Sequence, residues 1–221
     1  MFTGEQKDKT VIVGGYSPTL AFLPLDHLIE NPVIGVNKFG YDYGDYCNYW
    51  LGCDTGLNWE KWAESTNPLY EKEPKFLKDL KIPKLMRTPN QDTEAFVPKD
   101  AGIFFDESKN CPLETTWQNK LQWQSSSAMA AVHFAIILGA KEIVLYGVDF
   151  IGNKRADNSR YPDFGDGKDF WSIHIEPMNG FLQKASQYAS IYKVVEKSAL
   201  EVPLWPKAKN LQSQLNLTLN L

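Results

Sequence analysis

The stretch from Ser125 to Phe150 constrains the fold more than any other part of the chain. It opens with a polar cap, Ser125-Ser126-Ser127, and runs into Ala128-Met129-Ala130-Ala131-Val132-His133-Phe134-Ala135-Ile136-Ile137-Leu138, with Gly139 where a helix C-cap belongs. A helix that is apolar nearly all round cannot lie on a surface, so this one must pack against a sheet. The next run, Glu142 to Val148, reads as a central strand that delivers Asp149 and Phe150 at its carboxyl end. His133 is expected to be a hydrogen-bonded core histidine, not a ligand.

Further strands follow the same logic. Thr10-Val11-Ile12-Val13 is short, β-branched and stopped by Gly14-Gly15, and Ser17-Pro18 then offers an N-cap with proline at the first helical position. Backbone amides at such a turn attract anions, and glycine lets a phosphate approach. The spacing Gly-x-Gly-x-x-Gly is absent, as is a phosphate-loop lysine. Val33-Ile34-Gly35-Val36 ends at Asn37, Tyr49 to Cys53 ends at Asp54, and Asn58 to Ser65 has helix-like content. In a parallel sheet, residues just past the strands' carboxyl ends face the ligand crevice, which gathers Gly14, Asn37 and Asp54 on one edge. Each taken alone is more often a turn residue, and three at equivalent positions shift the balance toward the crevice.

Residues 66–120 are rich in Lys, Glu and Pro and are expected to elaborate the sheet, with short strands at Lys84 to Arg87 and Gly102 to Phe105. Residues 151–173 turn polar and glycine-rich, a long segment of the kind that covers a site, and His174 stands at its far end. Phe181, Leu182, Ala185, Tyr188, Ala189 and Tyr192 recur at helical spacing, which predicts an amphipathic helix over 176–200. With no repeat and no clear boundary, residues 1–221 are read as a single α/β Rossmann-like domain with a mostly parallel sheet, an inserted elaboration and a lid.

Composition narrows the functions. A net charge of −4 over 221 residues leaves no basic excess for phosphates, so duplex nucleic acid is not an expected partner. The longest apolar stretch, Ala128 to Leu138, is too short to span a bilayer, and a cytoplasmic protein is expected. Cys47, Cys53 and Cys111 lack metal-type spacing and are read as thiols, and three histidines are too few for a His-rich metal centre. Aromatic residues make up 13% of the chain, many in segments that look like loops, where they either line a cleft or pin the loops down.

Two segments together resemble a known family. Val11 to Leu20, followed by Val33 to Asn37, is similar to the first strand, Gly-x-Gly-Pro-Ser-Leu turn and Asn-ended second strand of the family-42 bacterial sialyltransferases. The motility accessory factors and the archaeal-type 6-hydroxymethylpterin pyrophosphokinases share that pattern. Ser125 to Ile143, then Gly147-Val148-Asp149-Phe150, resembles the family's Thr-Ser-Gly cap, buried helix, Leu-Gly-x-Lys-Glu-Ile and Gly-x-Asp-Phe strand end. With the lid and His174, the resemblance covers roughly half the chain. It implies that Gly14, Gly15 and Asn37 contact the nucleotide of a donor, with Ser17 in the same turn. It also implies that Ser126 and Ser127 lie near its phosphate and Asp149 near its ribose or the transferred group. His174 would be the general base and Tyr161 the lid residue that supports the departing phosphate. The chain departs from the pattern by one residue before Pro18, by Ile151 in place of a lid tyrosine, by Ala128 after the serine cap, and by Asp54 in place of an asparagine.

The expected activity is transfer of a sugar from a nucleotide-sugar donor to an acceptor hydroxyl, with no metal required. A second reading is a pyrophosphokinase that uses ATP and magnesium on a pterin-like alcohol, with Asp54 and Asp149 sharing the metal. A third is a non-catalytic nucleotide- or sugar-binding module. Self-association into a homo-oligomer is open.

Overall fold

The computed structural model describes residues 2–53, 80–88, 102–108, 110–124, 126–150 and 173–208. In chain order the elements are β1 (Thr10–Gly14), α1 (Asp26–Glu30), β2 (Val33–Val36), α2 (Phe39–Tyr43), β3 (Tyr49–Gly52), β4 (Lys84–Arg87), β5 (Ile103–Ser108), β6 (Lys120–Gln122), α3 (Ser127–Ile137), β7 (Glu142–Tyr146), α4 (Ile175–Ala185) and β8 (Ser190–Lys193). Short 3-10 turns lie at Pro18–Phe22, Gly44–Tyr46 and Pro206–Ala208. The eight strands form one sheet in the order β6-β5-β4-β3-β2-β1-β7-β8, and every pairing is parallel. The α/β Rossmann-like class expected from the sequence is the one found. Within residues 66–120, β4, β5 and the start of β6 belong to the sheet itself.

A parallel sheet is buried on both faces, and alternate residues of each strand feed the two sides. Val11, Val13, Ile34, Leu51, Ile143 and Leu145 pack with α3 and with Met178, Phe181, Leu182 and Ala185 of α4. Ile12, Val33, Val144 and Tyr146 face the other way, onto Leu20, Leu28, Phe39 and Trp205. All eleven residues of α3 are buried, and Gly139 follows with φ +82°, the left-handed conformation that lets the chain leave the helix.

The predicted helix over 176–200 is shorter than expected. α4 stops at Ala185, and Ser190 to Lys193 is strand β8, paired with β7 from Glu142–Ser190 to Leu145–Lys193. Tyr188 and Tyr192 satisfy a helical spacing and also an extended one. The edge of β7 offers backbone partners that a surface helix cannot use, so pairing wins. The helix expected at Pro18 is also only a 3-10 turn: Ser17 has extended cap geometry, but its hydroxyl makes no capping bond.

Phe2 and Trp117 pin loops to the core, joined there by Tyr49 of β3. Phe2, Tyr49 and Trp117 meet Phe134 of α3 edge-to-face at centroid distances of 5.1, 5.4 and 5.8 Å. Beside them His133 is fully buried and, as expected, satisfied. Its Nδ1 accepts the Gln122 amide at 2.9 Å, which leaves Nε2 to donate to the Glu114 carbonyl at 3.1 Å.

The turn after β1 is stitched to the end of β7. Gly15 donates its amide to the Tyr146 carbonyl at 2.8 Å and Ser17 donates to the Gly147 carbonyl at 2.9 Å. Gly147 has φ +67°. A Cβ on Gly15 would stand 2.5 Å from Val148 Cγ2 and 2.7 Å from the Gly147 oxygen, and one on Gly14 would stand 2.6 Å from the Phe39 ring.

Two stability predictions follow from these contacts. Gly15→Ala should destabilise the protein by about 1–3 kcal/mol, the usual range for forcing atoms into a packed site, because the Gly147 backbone cannot yield; an unchanged denaturation midpoint would contradict the stitch. Burial holds the His133 imidazole down at about 4, from 6.5. In that window the unfolded chain binds a proton the folded one does not, so stability rises with pH between about 4 and 6.5 and falls on acidification. The loss attributable to His133 is on the order of 3 kcal/mol, at about 1.4 kcal/mol per pH unit. Urea melts at several pH values should show that slope flattened, though not abolished, in His133→Gln, because burial also lowers the His27 pKa.

Candidate functional site

The chain winds outward from β1 to β6, then returns to set β7 against the other side of β1. Strand order therefore reverses between β1 and β7, and in open α/β sheets a crevice opens at the carboxyl ends of the strands at such a point. Gly14, at the end of β1, is in register with Tyr146 of β7 on one side and Gly35 of β2 on the other. A helix that crosses between parallel strands starts from the carboxyl edge, so the first residues of α3 and α4 lie along this same edge.

Asp149 is the most unusual group there. It is only 1% exposed, and one carboxylate oxygen, Oδ2, accepts both the Ser17 hydroxyl at 2.5 Å and the Thr19 hydroxyl. The other oxygen, Oδ1, is buried with no hydrogen-bond partner among the described residues. Burial pushes the carboxyl pKa up, opposed by the hydroxyls of Ser17 and Thr19 and, more weakly, by the Lys193 charge. A buried acceptor without a donor is costly, so Oδ1 marks a position where a ligand hydroxyl or amine would be favoured. Thr19 is the partner that sequence reasoning missed. It occupies the serine place of the Gly-x-Gly-Pro-Ser-Leu pattern, and that was the available signal.

A second pair sits at the end of β2. Asn37 has φ +48°, and its side-chain amide donates to the Ser127 hydroxyl at 3.2 Å. Its carbonyl accepts the Trp50 indole at 3.0 Å and its own amide bonds to Leu51 at 3.0 Å, so the left-handed turn is held from both sides. Ser126 caps α3, its hydroxyl accepting the Ala128 amide at 3.2 Å, and both serines are 7% exposed. The positive end of the α3 dipole faces this position. Asn37 and Ser127 are thus brought together, as are Ser17 and Asp149.

Two amides of the turn after β1 are engaged within the protein. The amides of Gly15 and Ser17 are already bonded to the β7 end, and Gly14 makes room for Phe39. Tyr16 instead reaches across to α2, donating its hydroxyl to Asp42. Gln124 and Phe150, which follow β6 and β7, are also left-handed, with φ +43° and +52°. Few non-glycine residues adopt that conformation, and such strain concentrates at functional sites.

His174 is half-buried and occupies the N-cap of α4, where its carbonyl accepts the Met178 amide at 3.1 Å. Asp54, Tyr161 and all of the expected lid except Ile173 lie outside the described residues, as does the helix-like segment Asn58 to Ser65. Among the described residues no group of three or more His, Cys, Asp or Glu side chains is placed to hold a metal ion, and no helix is long and apolar enough to cross a membrane. The three cysteines form no disulfide; burial pushes the Cys47 thiol up to about 12, far from a reactive thiolate.

No protein-family profile matches the chain, and no curated protein sequence matches it. Solved structures match the chain, among them two of one enzyme. One is the sialyltransferase CstII from Campylobacter jejuni in complex with the substrate analogue CMP-3FNeuAc, with 16% identity, 90% of this chain and 87% of that chain covered, and a TM-score of 0.50. The other is the same enzyme with cytidine-5'-monophosphate, at 17% identity, 93% and 87% coverage and a TM-score of 0.45. The single parallel sheet described above is therefore similar to the fold of a sialyltransferase.

Proposed function

We propose that the protein is a glycosyltransferase that takes a sugar from a nucleotide-sugar donor and delivers it to an acceptor hydroxyl. The observation that carries this reading is the buried, half-satisfied carboxylate of Asp149 at the β1–β7 switch point. It stands in a fold similar to that of an enzyme solved with a CMP-sugar analogue. A donor seated there would set its ribose or sugar hydroxyls against Asp149 Oδ1, with Ser17 orienting the carboxylate. Its phosphate would lie toward Ser126, Ser127 and Asn37, where a helix start and polar hydrogens favour an anion. Gly14 and Gly15 would form the floor of the nucleotide site and Asp54 would hold a sugar hydroxyl.

In the reaction the acceptor oxygen attacks the anomeric carbon. A glycosidic bond forms, the bond from that carbon to the phosphate oxygen breaks, and the nucleotide leaves. His174 would take the acceptor proton, and Tyr161 would donate a hydrogen bond to the departing phosphate. With a nucleoside-monophosphate sugar as donor the chemistry asks for no metal, since the leaving group is a single phosphate ester. Magnesium enters only if the protein is instead a pyrophosphokinase acting on a pterin-like alcohol.

Calorimetry with CMP-sugars, UDP-sugars and ATP, each with and without magnesium, tests the donor class. Binding of a nucleotide sugar that is indifferent to magnesium is the expected result, and magnesium-dependent ATP binding would replace the proposal with the kinase. For the base, His174→Ala should lower kcat by about 10²–10⁴-fold, the usual contribution of general-base catalysis, and leave donor affinity unchanged. A fully active variant would remove His174 from the mechanism.

A further inference from the structure

The residues after β8 join two parts of the crevice that the sequence keeps apart. The main-chain carbonyl of Asp149 accepts two hydrogen bonds from them, one from the Ala199 amide at 3.0 Å and one from the Ser198 hydroxyl at 3.2 Å. Ser198 is 8% exposed and its oxygen also accepts the Leu200 amide at 3.2 Å. Lys193 of β8 grips the same loop from beneath, donating to the carbonyls of Ser198 at 3.2 Å and Leu200 at 2.9 Å.

The far side of the loop is held by one side chain of α4. Asn179 donates its amide to the Ala199 carbonyl at 3.3 Å and accepts the Glu201 amide on its own oxygen at 2.9 Å. An asparagine used in this way replaces a strand partner, satisfying two backbone groups of a loop that has no neighbouring strand there among the described residues. Asn179 is five residues past His174, about 7.5 Å along the axis at 1.5 Å per residue. The first turn between them is closed by the bond from Met178 to His174, with Met178 fully buried. The second turn of α4 is therefore tied to the backbone of Asp149 through residues 198–201, with two hydrogen bonds from Asn179 to the loop and two from the loop to the Asp149 carbonyl.

We propose that Asn179 is a positioning residue, which sets the place of His174 relative to Asp149 through the loop 198–201. This rests on the transferase reading above, in which the two residues act on acceptor and donor. Loss of the Asn179 amide frees the Ala199 carbonyl and the Glu201 amide to bond water, and α4 then loses this one tie to the donor side. Asn179 touches neither substrate in this scheme, so its effect appears in the rate of transfer and not in donor binding.

The test compares Asn179→Ala and Ser198→Ala with the unaltered protein. The imidazole proton–nitrogen resonances of the three histidines are recorded by NMR and assigned with His174→Ala. The expected result is displaced His174 signals in Asn179→Ala with His27 and His133 unmoved, and a smaller displacement in Ser198→Ala, where the Ala199 amide still bonds to Asp149. His174 signals coincident with those of the unaltered protein, in a variant that melts within a few degrees of it, would overturn the inference. A general collapse of all three signals would overturn it as well, since Asn179 would then be a stability residue only. Where transfer is measurable, kcat should fall about tenfold in Asn179→Ala with donor KM unchanged. Absence of transfer in the unaltered protein counts against the transferase reading, while the ring measurement still decides the placement.

Discussion

The five-residue pairing of β1 with β7 is what the rest of the structure depends on. Thr10 to Gly14 lie against Glu142 to Tyr146 in parallel register, and the Thr10 hydroxyl reinforces the pair by donating to Glu142 at 2.7 Å. This contact brings the first strand, with its glycine turn, next to the strand that leads to Asp149. It creates the reversal of strand order, and with it the crevice. It also fixes the place of α3, since the helix that feeds β7 must cross the sheet to reach it.

The hydrogen bonds around Asp149 are divided between its side chain and its main chain. Ser17 and Thr19 satisfy one oxygen of its side chain, and Ser198 and Ala199 satisfy its carbonyl. The residue is thus bound from the beginning and from the end of the chain at once. What is left over in the side chain, Oδ1, is buried with no hydrogen-bond partner among the described residues.

Much of this was legible in the sequence where the signal is local. An all-apolar run, a glycine cap and a β-branched strand have one reasonable solution, and residues 127–146 adopt it. The same holds for β1, β2 and β3, whose ends were placed to within a residue or two. Pairings over long sequence distances could not be read this way: Thr19 and Asp149 are 130 residues apart, and no spacing rule joins them. Tyr188 and Tyr192 misled because two periods describe them equally well, and only the open edge of β7 chooses between them. The engaged amides of Gly15 and Ser17 are a similar case, since a glycine turn looks the same whether its amides serve a ligand or a neighbouring strand.

The dependence on β7 also orders events during synthesis. β1 and β2 are close in sequence and are free to pair early, yet the other edge of β1 stays open until residues more than 130 positions later have emerged. The Asp149 carbonyl waits longer still, for Ser198 and Ala199. The ties to the Asp149 carbonyl are therefore among the last features a ribosome-bound chain completes, and a chain halted before β8 would carry its glycine turn and Asp149 without them.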